Sequence, residues 1–337
     1  MRTDHMKDFS EFLGKRVLIT GANGLIGRAL TRKLIQYGAK VIAIVRDEKK
    51  ARETFSDIDD GSIKYLVMDV TTAEVKDMCV DYIVHGASIT SSRAFIEKPV
   101  DVIMNSVIGT KNLLDIARLN KVKSFVYLSS MEVYGTPLYD TKIFESDPSN
   151  LNTMLPRSGY PESKRLCECL CASYALQYGV PAKVVRLTQT FGEGVAYDDQ
   201  RVFAEFARCV LERRDIVLKT KGETKRNYLY TEDAAEAIMT VLLFGAVGEA
   251  YNAANEDTYC SIYEMAQIVA NNFGEGQIKV IIDESGDISK LGYASTLKMN
   301  LDCSKLKNLG WQAHTGFITA FERMVNYLKR TKIKRNN

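Results

Sequence analysis

Short apolar runs rich in valine, isoleucine and leucine recur along the first half of the chain and alternate with longer segments of helical periodicity. Six of these runs predict strands: "RVLIT" (16–20), "VIAIV" (41–45), "IKYLVMDV" (63–70), "DYIVHGA" (81–87), "SFVYLSS" (124–130) and "KVVRLTQ" (183–189). Segments between them, such as "LIGRALTRKLIQYG", read as amphipathic helices. This alternation predicts an α/β protein built on a doubly wound parallel sheet.

The pattern loosens after about residue 185. Two loop-like stretches, "TFGEGVAYDDQ" and "TKGETKRNYLY", accompany helical segments near 202–214, 231–244 and 261–273. No shift of composition marks a linker between two independent units. We therefore expect a sheet domain over residues 1–185 and a smaller, interwoven C-terminal domain over residues 186–337, with some of its segments returning to the first.

Charge and composition exclude several classes of partner. The 337 residues carry a net charge of only +3, with acidic and basic residues interspersed, so no broad basic face for nucleic acid or a membrane surface is expected. No apolar run approaches the length of a membrane span. Seven cysteines without a disulfide-like framework, and no apolar signal segment near the start, indicate the reducing cytoplasm.

One cluster of cysteines is a candidate metal site. Cys167, Cys169 and Cys171 follow one another at every second position in "RLCECLCASY". On a helix this spacing puts only the outer two on a shared face. Packing by small apolar side chains is therefore the interpretation we favour, and no metal is expected.

The first motif with chemical content is "VLITGANGLIGRAL", in which Gly21, Gly24 and Gly27 join the first strand to a helix. Glycines there let the turn tighten and the backbone approach a pyrophosphate, whose charge the free N–H groups of the helix receive. This context is the dinucleotide-binding pattern of a Rossmann fold, so NAD or NADP is expected. The predicted cofactor contacts are Gly21, Asn23, Gly24, Leu25, Ile26, Gly27, Asp69, Val70 and Ala87, together with Arg46, Tyr160 and Lys164, which are discussed below.

The end of the second strand bears on the choice of cofactor. In "VIAIVRDEKK", Val45 stands where an NAD site usually carries an acidic residue for the ribose 2′-hydroxyl. Arg46 can instead pair in a bidentate manner with a 2′-phosphate, which favours NADP. The alternative is that Arg46, Lys49 and Lys50 are solvated loop charges.

A second constellation combines Ser130 with Tyr160 and Lys164 of "RSGYPESKRLCECL". Pro161 suits the first position of a helix, which puts Tyr160 at its mouth and Lys164 about one turn further in. Tyrosine is a poor base at its ordinary pKa, so we expect the nearby ammonium and the positive helix end to favour the phenolate. Tyr160 could then take a proton from a hydroxyl while hydride leaves for nicotinamide.

Together, the glycine loop, Ser130, Tyr160 and Lys164 resemble the extended short-chain dehydrogenase/reductases that act on nucleotide sugars, and the resemblance covers nearly the whole chain. It implies that Ser130 bonds the sugar C4 oxygen, Tyr160 is the acid/base and Lys164 binds the nicotinamide ribose. It favours NAD, a UDP-, dTDP-, CDP- or GDP-linked sugar, and a homodimer formed through helices at about 99–119 and 161–178. The substrate-binding residues that it implies are Ser88, Ser130, Gln189, Arg201, Arg226 and Lys298.

Within this family, "SSMEVYG" and the segment around Tyr160 look most like the UDP-glucuronate decarboxylase branch. Glu132 falls where that branch and the 4,6-dehydratases both carry a glutamate. A carboxylate there could act at C5 once a ketone at C4 has made the C5 proton acidic; a capping or solvated glutamate is the alternative. Met131 replaces the aspartate acid of the dehydratases, and this favours decarboxylation or epimerisation over dehydration.

Other positions depart from the decarboxylases. Gln189 replaces their asparagine, and "SITSSRAF" replaces their tyrosine-bearing loop. An NADPH-dependent nucleotide 4-ketosugar reductase therefore remains an alternative, as does a non-catalytic Rossmann redox sensor. A transient oxidation returns its hydride, whereas a reductase consumes NADPH stoichiometrically.

Overall fold

A computed structural model describes residues 8–58, 61–74, 76–285 and 296–336. The bounds of its strands, in chain order, are β1 (Arg16–Thr20), β2 (Lys40–Val45), β3 (Ile63–Val67), β4 (Tyr82–His85), β5 (Ser124–Ser130), β6 (Lys142–Ile143), β7 (Ala182–Leu187), β8 (Gln189–Phe191), β9 (Ile216–Leu218), β10 (Lys225–Tyr230), β11 (Ala250–Ala253), β12 (Asn255–Ser261), β13 (Val280–Ile282) and β14 (Lys298–Leu301).

The α-helices lie between these strands and after the last of them. Their bounds are α1 (Leu25–Gln36), α2 (Glu48–Thr54), α3 (Ser92–Glu97), α4 (Pro99–Leu119), α5 (Gly159–Tyr178), α6 (Val202–Glu212), α7 (Thr231–Phe244), α8 (Ile262–Phe273), α9 (Ser304–Lys307) and α10 (Phe317–Asn336). Two short 3-10 turns, Met131–Tyr134 and Pro156–Ser158, flank the site described below.

Seven parallel strands form the large sheet in the order β11-β7-β5-β4-β1-β2-β3. Every residue of β4, and all but the last of β5, is buried. Helices α1 and α7 cover one face, and α4 and α5 cover the other. Because both faces are covered, the strands need no polar alternation, which explains the continuous apolar runs in the sequence.

The predicted doubly wound parallel sheet is confirmed by this order, and the smaller C-terminal part is interwoven with it. A second sheet runs β12-β10-β14-β6, with β8 paired to β10, and β9 pairs with β13. Strand β6 comes from the N-terminal part of the chain, whereas β11 returns from the C-terminal part to the edge of the large sheet. The chain therefore crosses between the two parts in both directions.

Three predicted strands are longer than the observed ones. Residues 63–70 and 81–87 end as strands at Val67 and His85. The run 183–189 is divided, because Thr188 donates its hydroxyl to the Asn227 carbonyl at 2.7 Å and Gln189 then begins β8 in the second sheet. In each case backbone pairing ends before the apolar pattern does.

The structure also bears on the predictions about membrane spans and cysteines. In the described part of the chain, no helix is long and apolar enough to cross a membrane. None of the seven described cysteines forms a disulfide. Cys167 and Cys171 are buried in the face covered by α4 and α5, whereas Cys169 is exposed, as helical spacing predicts.

Candidate active site

The carboxyl edge of the large sheet gathers most of the predicted site. The strand order reverses between β1 and β4, which opens a crevice at the point where doubly wound sheets bind their ligands. Gly21 follows β1, Ala87 and Ser88 follow β4, and Ser130 ends β5. The sheet topology therefore brings together motifs that are far apart in the sequence.

The glycine turn is built for close approach of a ligand backbone to the protein backbone. Gly21 has a φ of +73°, and a Cβ added to Gly27 would lie 2.1 Å from the Gly21 carbonyl oxygen. Gly24 caps α1 without a side chain, so the first N–H groups of the helix, including those of Leu25 and Ile26, have no partner within the helix. Together with half-buried Asn23, this cradle fits a dinucleotide pyrophosphate.

Thr20 joins the glycine turn to the end of β4, a role that the sequence motifs do not reveal. Its hydroxyl accepts the backbone N–H groups of Gly86 at 3.1 Å and Ala87 at 3.0 Å. It also lies 2.7 Å from Nδ1 of buried His85, whose pKa is lowered to about 3 by burial. A neutral imidazole therefore supports the floor of the crevice.

The loop after β3 carries two of the predicted cofactor contacts, Asp69 and Val70. The Asp69 carboxylate accepts the N–H and the hydroxyl of Thr71, and these hydrogen bonds, with a smaller effect of Arg46, hold the pKa of Asp69 below its usual value. The Asn112 amide donates to the Val70 carbonyl at 2.9 Å and holds the loop in place. Arg46 is exposed immediately after β2.

Ser130 and Glu132 lie on the 3-10 turn that follows β5. The Ser130 hydroxyl accepts the Glu132 N–H at 3.2 Å, which caps the turn. Met131 is buried beneath them, where its sulfur lies 3.4 Å from the Thr188 hydroxyl. The turn therefore directs Met131 inward and leaves the Glu132 side chain about one-third exposed.

Tyr160 lies in the first turn of α5, which begins at Gly159. Its ring is 7% exposed and stacks on Phe95 at a centroid distance of 4.2 Å. Burial raises the pKa of Tyr160, the charge of Glu132 raises it further, and hydrogen bonding by Ser130 and the charge of Arg157 oppose these effects. In the free site, burial therefore opposes the phenolate that the sequence predicts.

Lys164 is held by the backbone of β5, near the ring of Tyr160. The Lys164 amine donates to the Leu128 carbonyl at 2.8 Å and lies 5.8 Å from the centre of the Tyr160 ring. Burial lowers its pKa to about 8. The amine is thus fixed against the backbone of β5, two residues before the strand ends at Ser130.

Two further residues belong to this cluster, although no motif assigned them a role. The Arg157 guanidinium donates to Oε2 of Glu132 at 2.9 Å. The same guanidinium lies over the Phe95 ring, 4.7 Å from its centre. Phe95 is carried by the short helix α3, in the segment "SITSSRAF". Only the fold shows that these residues meet around Tyr160.

A buried ion pair supports the turn from behind. Arg186 on β7 forms a bidentate pair with Glu168 on α5, and the Ser129 hydroxyl donates to the same carboxylate at 2.5 Å. Arg186 also donates to the Tyr134 hydroxyl at 2.9 Å, at the end of the 3-10 turn. Since both charges are largely buried and satisfied, this network fixes where Ser130 and Glu132 stand.

Two of the predicted substrate residues, Ser88 and Arg226, have buried polar atoms without a partner in the described part of the chain. These atoms are the Ser88 hydroxyl and the Arg226 Nε. Arg226 also donates to Gln189 at 3.4 Å, a long hydrogen bond that leaves most of the guanidinium available. Unpaired buried donors of this kind suit an anionic or hydroxyl-rich ligand.

Two others, Arg201 and Lys298, lie apart from this group. Arg201 is exposed and forms a bidentate ion pair with Asp199. Lys298 is opposite Lys225 in the second sheet, one position out of register with Arg226, so Lys298 and Arg226 point to opposite faces of that sheet. Lys298 instead lies 3.6 Å from Asp140. No group of His, Cys, Asp or Glu suited to a metal ion occurs in the described residues.

Known proteins share this sequence pattern and this fold. The model of the family described as "NAD dependent epimerase/dehydratase family" matches residues 17–254. UDP-glucuronic acid decarboxylase 1 of Xenopus tropicalis is 28% identical over 328 residues, which are 96% of this chain and 75% of that protein. UDP-N-acetyl-alpha-D-glucosaminuronate decarboxylase of Bacillus cytotoxicus is 29% identical over 301 residues, 88% of this chain and 91% of that protein.

Solved structures agree on the architecture. UDP-N-acetylglucosamine 4-epimerase of Methanobrevibacter ruminantium superposes with a TM-score of 0.82 at 20% identity, over 95% of this chain and 99% of that one. A dTDP-glucose 4,6-dehydratase of Bacillus anthracis gives 0.79, also at 20% identity, over 95% and 98%. These similarities show the fold, and the family match covers well over half of the sequence. The chain belongs to the NAD dependent epimerase/dehydratase family.

Proposed function

We propose that this protein is an NAD(P)-dependent nucleotide-sugar enzyme that oxidises the sugar transiently at C4 and then acts at C5, by decarboxylation or epimerisation. The bound nicotinamide would supply the hydride acceptor. Ser130 would orient the C4 oxygen, Tyr160 would take the C4 hydroxyl proton, and Lys164 would hold the nicotinamide ribose. The two sequence relatives described above, both decarboxylases of uronic-acid nucleotides, support this reading.

The position of Glu132 is the observation that supports chemistry at C5. Glu132 stands on the same turn as Ser130, and its charge is close enough to Tyr160 to affect the pKa of the phenol. We infer that a carboxylate on this turn would lie near C5, the sugar carbon next to C4. A ketone at C4 makes the C5 hydrogen acidic, and it also makes a carboxylate attached to C5 a β-keto acid that can lose CO₂.

The position of Met131 argues against dehydration. Removal of a 6-hydroxyl as water needs an acid that protonates the leaving oxygen. Met131 has no proton to donate, and its side chain is buried against Thr188. Decarboxylation and epimerisation need no such acid, so both remain compatible with this turn.

Mass spectrometry of a panel of UDP-, dTDP-, CDP- and GDP-sugars, including uronic acids, tests the proposal. We expect loss of CO₂ from a uronic acid nucleotide, or an epimer of unchanged mass resolved by chromatography, without added cofactor being consumed. Loss of water would point to dehydration, and gain of two hydrogens with consumption of NADPH would point to a ketosugar reductase. Absence of any change across the panel would favour the non-catalytic redox sensor.

Arg46 is the residue we propose for the choice between NAD and NADP. Replacement of Arg46 by alanine should weaken NADP binding about 10- to 100-fold and leave NAD binding nearly unchanged, because the 2′-phosphate is the only group of the cofactor that Arg46 should touch. Isothermal titration of both cofactors measures this difference. Lys49→Ala is the matched control, since Lys49 is another exposed cation close by on α2.

Two outcomes would contradict the role of Arg46. Equal weakening of NAD and NADP would mean that Arg46 affects the loop as a whole. An NADP affinity that Arg46→Ala and Lys49→Ala reduce equally would mean that only the general positive charge of this loop matters.

We also propose a homodimer formed through α4 and α5, which pack against each other on one face of the sheet. Their outer surfaces expose apolar side chains: Val100 is 68% exposed, Met104 48%, Leu166 48% and Leu176 91%. A paired copy would cover these side chains. Sedimentation equilibrium should give a dimer that Leu166→Glu dissociates, and a concentration-independent monomer would refute the proposal.

A further inference from the structure

Arg157 and Tyr160, the predicted acid/base, both pack on the ring of Phe95. The Arg157 guanidinium lies over one face of Phe95, and the Tyr160 ring lies against Phe95 with an interplanar angle of 19°. Phe95 and Tyr160 form a small buried cluster with Val102, separate from the cores of the sheet. Contact with one shared ring thus holds the guanidinium near the phenol, where its charge acts on Tyr160.

The same guanidinium determines how Glu132 is presented. Arg157 occupies Oε2 of Glu132 at 2.9 Å, and within the described ranges no hydrogen bond to the other carboxylate oxygen, Oε1, is formed. One oxygen is therefore held while the other stays available to a ligand. The side chains of Arg157 and Glu132 are 40% and 32% exposed, so solvent screens the ion pair. The pair therefore contributes more to the position of the two side chains than to the stability of the fold.

We propose that Arg157 is a positioning residue that aims the carboxylate of Glu132 at the sugar and offsets its negative charge at Tyr160. The inference rests on the proposed function and adds to it a residue that acts through Glu132 and not on the substrate. A fixed planar guanidinium suits this task, because its fork and its stacking set position and direction together. Lysine keeps the charge but neither the fork nor the stacked plane.

Four ionisable groups face Tyr160 from the elements around it. Glu132 and Arg157 approach from the two 3-10 turns, Lys164 from α5 and Tyr127 from β5. The charge of Glu132 raises the pKa of Tyr160, and that of Arg157 lowers it. Loss of Arg157 therefore leaves the charge of Glu132 uncompensated beside the acid/base.

A double-mutant cycle tests the inference by measuring C4 oxidation and C5 exchange separately. Single-turnover absorbance reports the first, and deuterium uptake from heavy water reports the second. Arg157→Met should slow C4 oxidation about tenfold and slow the C5 step at least as much. Arg157→Lys should recover part of the C4 rate. Arg93→Met is the control, since Arg93 pairs with Glu97 on the solvent side of α3.

The decisive variant combines Arg157→Met with Glu132→Gln. Because the uncompensated charge is then gone, C4 oxidation should recover to about the rate of Glu132→Gln alone. A double variant that loses the product of the two single effects would overturn the inference, because Arg157 would then act independently of Glu132. So would an Arg157→Met variant that only raises KM, since Arg157 would then bind substrate directly.

A measurement without turnover separates this inference from the proposed function. In nitrogen-15 NMR, the Arg157 guanidinium, assigned by its absence in Arg157→Met, should rotate slowly about Cζ–Nη in the wild type and quickly in Glu132→Gln. If Arg157 is as mobile as Arg93 in the wild type, the pair does not exist in solution and the inference fails. A slow Arg157 in a protein that converts none of the nucleotide sugars would support the pair and refute the proposed function.

Discussion

Replacement of Tyr160 by phenylalanine should abolish turnover and leave folding and cofactor binding nearly intact. The substitution removes one hydroxyl and keeps the ring that stacks on Phe95. Loss of a positioned acid/base costs about 10²- to 10⁴-fold in rate. Single-turnover absorbance after mixing with substrate measures C4 oxidation directly.

Tyr174→Phe is the matched control for this prediction. Tyr174 is a buried tyrosine on the same helix, and its hydroxyl donates to Asp115 at 2.8 Å, away from the crevice. It should keep the wild-type rate. If Tyr160→Phe retained a rate within about tenfold of wild type, the loss would be about 1.4 kcal/mol, which is too little for the group that transfers the proton.

The large sheet could be predicted because its strands are buried on both faces. Such strands appear as unbroken apolar runs, and all six predicted runs contain an observed strand. The seventh, β11, was missed because "AYNA" is short and lacks β-branched residues. The split between β7 and β8 was also missed, since both strands lie in one apolar run and only the contacts of Thr188 separate them.

Site residues could be predicted from the sequence where a residue type is required by a local turn or by the end of a helix. Gly21, Ser130 and Tyr160 were found in this way. The pairing of Arg157 with Glu132 spans 25 positions between two loops, and no periodicity marks it. The raised pKa of Tyr160 was equally hidden, because it depends on burial under Phe95 and not on the helix that carries it.

Replacement of Glu132 by glutamine should divide the reaction into two separately measurable halves. Glutamine keeps the size of the side chain, but it loses the charged pair with Arg157 and has no carboxyl group to exchange a proton with C5. C4 oxidation should proceed, so the near-ultraviolet absorbance that accompanies it should build up in a single turnover. The C5 step should stall, with a loss of about 10²- to 10⁴-fold.

Isotope exchange identifies the stalled step. In heavy water the wild type should place deuterium at C5, in recovered substrate and product if it epimerises and in the product alone if it decarboxylates, whereas Glu132→Gln should place almost none. Glu162→Gln is the control, because Glu162 is a similarly exposed carboxylate 3.5 Å from Arg165 on α5.

Two results would give Glu132 a different role. If Glu132→Gln lost C4 oxidation itself, the glutamate would serve to position Ser130 and Tyr160 and not to act at C5. If it behaved like wild type, the carboxylate would have only a structural role on its turn, where its backbone N–H already bonds Ser130. In either case "SSMEVYG" would fit the strand end of a simple 4-epimerase or reductase, because those reactions need only the proton transfer at C4.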